Sequence, residues 1–527
     1  MSATAVTPEI HSTTQKVPTR NSTHYLIFTL CASIYLLPFM RILMQGTDEG
    51  TLLYGAVRVV HGQVLARDFF DVMGPGTFYW LAAFFKLFGV TFMATRICLF
   101  VMSLGTGLLI YFLSRRICRR YSVLPCLLLA GTYFSTIWPE INHHVCSNFF
   151  ALLSVACIVL WQDKHRNGLL FAAGVLAGVT TCFLQPKGML LLFAILLWLW
   201  MQRKQLSTTR SSLGTVIGGY CVVVGIVLIY FWSRGALRDL IYVNLVWPSR
   251  HYDAINAVPY ALGILHYWNQ WVRPMNGVMW FVVMASVLII PFLLVAALPA
   301  LLLTLGIRHR TACAKPTVLL YWLCGWALWL SEIHRKDICH LVSGSPLLII
   351  LCIYLLAESR GKVAALTLQI LSVSAACLAV VNLFVVLTAH TVNTRVGSAA
   401  VFQDDPVLTF LDEHVAPGEE IFAYPYCPMY YFLSSTTNPT RYSLLIYNYN
   451  TSAQFHEVIQ VLEQHKVRYV LWDTNFQTKK VAALFPASVR IQPRDLIMEP
   501  YLDSHYKLVK VEDGVRIMER KSEDHSN

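Results

Sequence analysis

Charged residues are scarce in this 527-residue chain: Asp, Glu, Lys and Arg together make up 13% of it, whereas 56% of the residues are hydrophobic. The mean hydropathy of +0.54 lies far above the values of ordinary soluble domains. So few charges exclude a soluble globular protein. The composition predicts a polytopic membrane protein.

Other features are missing as well. The fourteen cysteines form no CxxC pair, and only Cys427 lies in the polar C-terminal tail, so neither a disulfide framework nor a zinc site is indicated. No internal repeat is apparent. No small-residue cleavage site follows the first apolar segment, residues 25–44, which is therefore predicted to be an uncleaved spanning helix.

Long apolar runs, in contrast, recur along most of the chain. About eleven are long enough to predict membrane-spanning helices. They lie near residues 25–44, 92–114, 121–138, 144–162, 168–184, 188–202, 213–233, 278–306, 316–331, 340–357 and 363–388.

The net charge of +12 comes mainly from short loops between these runs, so it indicates topology and not nucleic-acid binding. If the tail that carries Lys16 and Arg20 is cytoplasmic, five further loops are cytoplasmic, and all five are short and basic. They lie at 114–120, 163–168, 203–210, 308–315 and 358–362. The positive-inside rule therefore predicts a cytoplasmic N-terminus, and the odd number of spans predicts an extracytoplasmic C-terminus.

Three regions follow: a cytoplasmic tail (1–24), a transmembrane catalytic domain (25–390) and an extracytoplasmic domain (391–527). In the last, residues 419–426 and 467–473 have strand composition and residues 453–466 have helical spacing. An Asp-Gly pair within 506–520 indicates a hairpin. The third region is predicted to be a small α/β domain.

The first outer loop carries four carboxylates: Asp48, Glu49, Asp68 and Asp71. A helix is predicted from Thr47 or Asp48 to about Gly62, lying in the interface plane with an apolar strip and with Arg58 off that strip. Asp48 and Glu49 either cap this helix or act in catalysis, since a carboxylate at a partly dry site is suited to general-base chemistry. Asp68 and Asp71 either position a sugar or pair with Arg67.

The remaining outer loops contain cations and imidazoles. Lys187 in "QPKG" is a costly charge at membrane depth, for which phosphate binding is the preferred interpretation over snorkelling. "EINHH" presents Glu140, His143 and His144. The two imidazoles could bind phosphate, donate to a leaving group or ligate a metal ion, and metal is the less favoured use because adjacent histidines on a helix diverge. Six further residues could join an anion site: Arg250, His251, His334, Arg335, Lys336 and His340.

These motifs resemble those of the C-type (GT-C) integral membrane glycosyltransferases, in particular bacterial family 39 enzymes related to protein O-mannosyltransferases and to lipid A and lipopolysaccharide sugar transferases. The resemblance covers about residues 25–390. It rests on Asp48-Glu49 after the first span, on "RDFFDVMGPGTFYWLAAFFKLFG" (67–89), and on "NHH", "QPKG" and "HRKDICHL". It implies an all-α bundle in the bacterial inner membrane.

The resemblance also implies a reaction. Asp48 matches the catalytic base of the first outer loop, and Lys187 is the best match to the residues that hold the donor phosphate. The implied donor is a sugar on polyprenyl phosphate, the acceptor is a lipid, glycan or protein, and the transfer is inverting. Glu140 is the one candidate for the family's second acidic residue. No cofactor or metal ligand is assigned, and dependence on a divalent cation is left open.

Other classes remain as alternatives. A lipid-linked sugar transporter or flippase should carry ionisable residues near mid-bilayer and often inverted repeats, whereas here the charges collect at one face. An O-antigen ligase or polymerase would share the lipid-linked donor. A receptor-like scaffold is the least favoured. The sugar, the acceptor and the oligomeric state are not specified by the sequence.

Overall fold

The computed structural model describes residues 20–44, 47–133, 139–204, 210–264, 278–477 and 492–522. Up to residue 387, the described part of the chain consists mainly of helices. These helices are α1 (Arg20–Leu36), α2 (Thr47–Val60), α3 (Pro75–Phe88), α4 (Phe92–Ile117), α5 (Leu124–Tyr133), α6 (His143–Lys164), α7 (Asn167–Phe183), α8 (Gln185–Met201), α9 (Arg210–Ser233), α10 (Leu237–Ile241), α11 (Trp247–Asn256), α12 (Val278–Arg308), α13 (Arg310–Cys313), α14 (Pro316–Glu332), α15 (Ile338–Gly344), α16 (Pro346–Glu358) and α17 (Lys362–Leu387).

Local sequence signals set the helix ends that matter for the site. The Asn142 side chain caps α6 by accepting from the Val145 amide at 2.9 Å. Helix α8 starts at Gln185 with Pro186 in its first turn, where the missing N–H costs nothing. "NHH" and "QPKG" therefore both mark the beginning of a helix.

The number of predicted spans is not confirmed. Within the described residues, six helices are long and apolar enough to cross a membrane, and the pair α15–α16, bent by 71°, would make a seventh. Helices α7 and α8 are apolar but have only 17 residues each. At 1.5 Å per residue such a helix is about 26 Å long, short of the ~30 Å hydrocarbon core. The apolar runs were found correctly, but apolarity did not show that several of them are short.

The first-loop helix is present and differs from the prediction in its surroundings. Helix α2 ends at Val60, and Gly62 then adopts a positive φ of 87°. Leu52, Leu53 and Ala56 are fully buried, as the predicted strip requires. Arg58, however, is also buried, because Nη1 donates to the Thr440 carbonyl at 3.0 Å. Helix α2 is thus covered by the C-terminal region as well as by the membrane part.

The C-terminal region has the predicted mixed structure. It contains β1 (His390–Thr394), β2 (Gly397–Val401), α18 (Pro406–His414), β3 (Ile421–Tyr424), α19 (Met429–Leu433), α20 (Ser452–His465), β4 (Tyr469–Asp473), α21 (Met498–His505), β5 (Tyr506–Glu512) and β6 (Val515–Arg520). Strands β1 and β2 form a hairpin, and the other four form a sheet of order β3-β4-β6-β5. Strand β3 is parallel to β4, and β6 is antiparallel to both β4 and β5.

One hydrophobic core joins the two regions. It includes Leu52 of α2 and Phe78 of α3, together with Met429 and Phe432 of α19. Main-chain hydrogen bonds cross the same boundary, from Phe70 N to Arg441 O at 2.8 Å and from Leu43 N to Ala400 O at 2.8 Å. The C-terminal region therefore packs directly on the first outer loop.

Candidate active site

A cavity of about 860 Å³ lies where the first outer loop, the helix ends and the C-terminal region meet. Its polar and aromatic lining comes from segments far apart in the sequence. These residues are Asp48, Asp71, His143, Gln185, Asn244, Tyr252, His334, Arg335, Asp337, His340, Tyr426 and Tyr449. A second cavity, of about 250 Å³ between α1, α4, α5 and α6, has an almost wholly apolar lining. Acid–base chemistry is therefore expected in the larger one.

Asp48 lies in the first turn of α2 and faces this cavity. Its Oδ1 accepts a hydrogen bond of 2.7 Å from the Tyr426 hydroxyl, and Thr51 Oγ1 donates to the same hydroxyl at 3.3 Å. The positive end of the α2 dipole favours a carboxylate here. The structure thus presents the predicted base to an open space.

Glu49 lies elsewhere. Successive helical residues diverge by about 100°, so only one of the two carboxylates can face the cavity. Glu49 is fully buried, pairs with Arg96 at 2.8 Å and accepts from the Ile141 amide at 3.0 Å. Its carboxylate joins α2 to α4 and to the loop before α6. Glu49, predicted as catalytic, does not line the cavity.

Asp71 is the second carboxylate of the cavity. Its Oδ1 accepts from the Met73 amide at 2.8 Å, which fixes the loop that leads into α3. Burial raises the pKa of Asp71 to about 7, and the neighbouring Asp48 adds to this rise while the Met73 amide opposes it. At neutral pH Asp71 is therefore partly protonated and able to donate as well as accept.

Asp68 does not reach the cavity. It forms an ion pair of 2.8 Å with Arg67 and accepts from the Val64 amide at 2.7 Å. The hydrogen bond from Arg67 lowers the pKa of Asp68. The sequence left two interpretations open for Asp68 and Asp71, positioning of a sugar and pairing with Arg67. Asp68 pairs with Arg67.

Lys187, predicted to bind phosphate, is fully buried and does not line the cavity. Its ammonium lies 2.5 Å from Glu332 Oε1 and donates to Asn148 Oδ1 at 2.7 Å and to Ser147 Oγ at 3.2 Å. A Cβ on the adjacent Gly188 would lie 2.1 Å from the Thr181 hydroxyl oxygen, so α8 packs too closely on α7 for the lysine to move outward easily. The positive charge of Lys187 is therefore paired with Glu332 inside the protein.

Glu332 is a residue that the sequence analysis missed. It is fully buried at the end of α14 and also contacts His144 Nδ1 at 3.0 Å. His144 is buried as well, whereas His143 lines the cavity. The two rings nevertheless pack on each other with centroids 4.0 Å apart, so they diverge less than adjacent positions on a helix predict.

The loop between α14 and α15 supplies the cations of the cavity. Asp337 caps α15 and binds both neighbours, His340 Nδ1 at 2.8 Å and Arg335 Nε at 2.6 Å. Burial opposes ionisation of Asp337, but His340 and Arg335 outweigh it and lower its pKa. Arg335 Nη1 also donates to Asn256 Oδ1 at 2.9 Å. Burial lowers the pKa of His334 to about 4, so this imidazole is neutral at pH 7.

Ligand atoms of His144, Glu332 and His340 lie within 4.8 Å of one another, a spacing compatible with a metal ion. The Lys187 ammonium, 2.5 Å from Glu332, already neutralises the only carboxylate of this group. A divalent cation would bring excess positive charge into a fully buried site. The residues fit a metal poorly, and none is assigned here.

The other predicted site residues lie outside the lining. Glu140 is buried, and Arg250 is exposed on α11. His251 packs against Trp247 with ring centroids 5.1 Å apart. Their neighbour Tyr252 does line the cavity, as does Tyr449. Nothing in the local sequence distinguishes these tyrosines from others in an aromatic-rich chain.

Comparison with known proteins places this geometry in a family context. Residues 73–233 match the family model described as dolichyl-phosphate-mannose-protein mannosyltransferase. No curated protein sequence matches significantly.

Solved structures match nearly the whole chain. ArnT from Cupriavidus metallidurans in the apo state matches with a TM-score of 0.56 and 12% identity, over 94% of this chain and 98% of that one. The same protein bound to undecaprenyl phosphate matches with a TM-score of 0.55 and 10% identity, over 96% of this chain and 99% of that one. The archaeal oligosaccharyltransferase AglB from Archaeoglobus fulgidus, in complex with an inhibitory peptide and a dolichol-phosphate, matches with a TM-score of 0.55 and 11% identity, over 96% of this chain and 75% of that one. The chain is therefore a membrane protein with the fold of the GT-C glycosyltransferases, as the resemblance of its motifs implied.

Proposed function

We propose that this protein transfers a sugar from a polyprenyl-phosphate donor to an acceptor hydroxyl on a lipid, glycan or protein, at the extracytoplasmic face of the bacterial inner membrane. The observation that carries the proposal is the single cavity in which two carboxylates, Asp48 and Asp71, face a set of anion-binding donors around Arg335. Support also comes from ArnT and AglB, which share the fold and were solved with polyprenyl phosphates.

The donor phosphate is assigned to the part of the lining that includes Arg335. Two buried nitrogens of the lining have no hydrogen-bond partner among the described residues: Asn244 Nδ2, and His143 Nδ1, which is a donor in one of the two imidazole tautomers. Gln185 donates to Asn244 Oδ1, which leaves the Asn244 amide group directed away from Gln185. Buried donors without partners are rare and costly, and phosphate oxygens would satisfy both.

The lipid tail is assigned to the bilayer side of the same cavity. Four residues that line the cavity have large, apolar and exposed side chains, unlike the polar side chains expected at a rim in contact with water. They are Met189, Leu245, Leu330 and Ile333. A polyprenyl chain in the outer leaflet would cover these side chains while the headgroup lies inside.

The chemical step then follows from the positions of the carboxylates. The acceptor oxygen attacks the anomeric carbon and gives its proton to Asp48, while the bond from that carbon to the phosphate oxygen breaks. The lipid phosphate leaves with the electron pair, stabilised by Arg335. Attack opposite the leaving group inverts the anomeric configuration. Partly protonated Asp71 hydrogen-bonds a sugar or acceptor hydroxyl near Asp48.

The test uses the full chain in nanodiscs with radiolabelled polyprenyl-phosphate sugars and an extract of envelope acceptors. Asp48→Asn should lower transfer by about a hundredfold or more, as expected for loss of a general base. Asp163→Asn is the matched control. His143 at the start of α6 lines the cavity, whereas Asp163 lies at the other end of this helix and pairs with exposed Arg116. Full activity of Asp48→Asn would contradict the proposal. Movement of labelled lipid across the bilayer without covalent transfer would instead support a flippase.

A further inference from the structure

We propose that Tyr426 positions the Asp48 carboxylate, so that the C-terminal domain forms part of the active site. This inference rests on the proposed function and names a partner for its base. Tyr426 lies 378 residues after Asp48, and no motif in the sequence links the two. It is a positioning residue, because it acts through Asp48 and not on the substrate.

The contact itself is short and enclosed. The Tyr426 hydroxyl donates to Asp48 Oδ1 at 2.7 Å and accepts from Thr51 Oγ1 at 3.3 Å, and the tyrosine is 4% exposed. Asp48 and Thr51 lie one turn apart on α2, so the phenol spans that turn on the cavity side. The Tyr426 hydroxyl binds Asp48 Oδ1, which leaves Asp48 Oδ2 for the acceptor hydroxyl.

Backbone packing holds Tyr426 at this distance. A Cβ on Gly50 would lie 2.5 Å from the Met429 nitrogen and 2.7 Å from its Cα. Helix α2 therefore touches the start of α19, three residues after Tyr426, without a side chain between them. A residue larger than glycine at position 50 would separate the two helices and with them the phenol and the carboxylate.

Further contacts fix the register between α2 and the C-terminal domain. The Asn438 amide donates to the Tyr54 hydroxyl at 2.7 Å, and the Tyr54 and Tyr431 rings stack at 4.7 Å. The hydrogen bond from Arg58 to the Thr440 carbonyl lies one turn further along α2. The domain is thus attached along the whole helix that carries Asp48, so the position of Tyr426 does not depend on one contact.

The hydrogen bond from Tyr426 orients the Asp48 carboxylate. A hydrogen bond to an ionised carboxylate is stronger than one between neutral groups and restricts rotation of the carboxylate. A base held in its productive rotamer loses no conformational entropy when the acceptor arrives.

The test is Tyr426→Phe, which removes one oxygen. We expect kcat to fall about 10- to 100-fold, from the usual contribution of a hydrogen bond to a charged group. Donor KM should stay unchanged, because the Tyr426 hydroxyl contacts Asp48 and Thr51 and none of the residues assigned to the phosphate. A tyrosine that only stabilises the fold would not lower kcat selectively.

Tyr501→Phe is the matched control, because its hydroxyl donates to the Glu463 carboxylate at 2.6 Å in the same domain but outside the cavity. It should leave kcat unchanged. Gly50→Ala should reproduce the loss of kcat seen in Tyr426→Phe, whereas Gly214→Ala, where a Cβ meets nothing within 4 Å, should not. A wild-type kcat in Tyr426→Phe would overturn the inference.

Assaying Asp48→Asn beside Tyr426→Phe separates this inference from the function on which it rests. Loss of transfer in Asp48→Asn together with a wild-type kcat in Tyr426→Phe contradicts positioning while the assignment of the base stands. Full transfer by Asp48→Asn contradicts the assignment of the base itself.

Discussion

The Lys187 ammonium lies 2.5 Å from the Glu332 carboxylate, and both side chains are fully buried. The pair forms below the cavity floor and joins α8 to α14. It explains how a lysine tolerates this depth without a bound phosphate, since a buried charge is acceptable when it is paired and hydrogen-bonded.

This pair predicts a stability effect. Lys187→Met or Glu332→Gln should each lower the free energy of unfolding by about 3–5 kcal/mol, because either leaves an uncompensated buried charge or unpaired partner. The double variant Lys187→Met/Glu332→Leu should be closer to the wild type. Thermal unfolding in detergent would measure this. A stable Lys187→Met variant with a strongly raised donor KM would show that the lysine binds phosphate after all.

Arg335 is predicted to hold the donor phosphate. Arg335→Lys keeps the charge but loses the forked geometry that binds Asp337 and Asn256 at once, so donor KM should rise about tenfold or more. Lys336→Gln is the control, since Lys336 is exposed and outside the cavity. Initial rates at varied donor concentration would measure the effect. Equal KM values for both variants would remove Arg335 from the site.

The raised pKa of Asp71 predicts how stability depends on pH. The folded-state pKa of about 7 lies above the ordinary aspartate value of 3.8, so the folded protein binds the proton more tightly than the unfolded chain. The contribution of Asp71 is fully present below about pH 4 and is lost as pH rises to about 7. Asp71→Asn should remove this slope, measured as the difference in unfolding midpoint between the two proteins from pH 4 to 8. Parallel curves would contradict the assignment.

Topology gives a separate prediction. Asp404 is exposed in the C-terminal domain, and Arg166 is exposed in a predicted cytoplasmic loop. In intact right-side-out vesicles, Asp404→Cys should react with a membrane-impermeant maleimide above the wild-type background, because the basic loops predict that this domain is outside. Arg166→Cys should react only after permeabilisation. The reverse pattern would invert the orientation.

Much of the fold was predictable because its signals are local. Apolar runs, the Asn142 cap and the Asp-Gly hairpin each depend on a few neighbouring residues, and the helices and strands follow them. The length of the spans was less predictable. The break at "QPKG" was predicted, but the count of eleven spans is not confirmed, because six described helices, or seven with the bent pair, are long and apolar enough to cross a membrane.

The site was predictable in part. Asp48, Asp71, His143, Arg335 and His340 all line the cavity, because outer-loop placement concentrates polar groups at one face. Other predicted residues lie outside the lining of the cavity. For two of them the reason is that the sequence shows a charge but not its partner: Glu49 pairs with Arg96, and Asp68 pairs with Arg67.

By itself, the sequence determined the membrane class and the GT-C resemblance, since these depend on hydropathy and local motifs, and the resemblance implied Asp48 as the base. Only the tertiary structure decided which charges cancel and which face the cavity, and it alone brought Tyr426 to Asp48. Such pairings join residues tens to hundreds of positions apart, and burial, which makes them necessary, is a property of the packed chain.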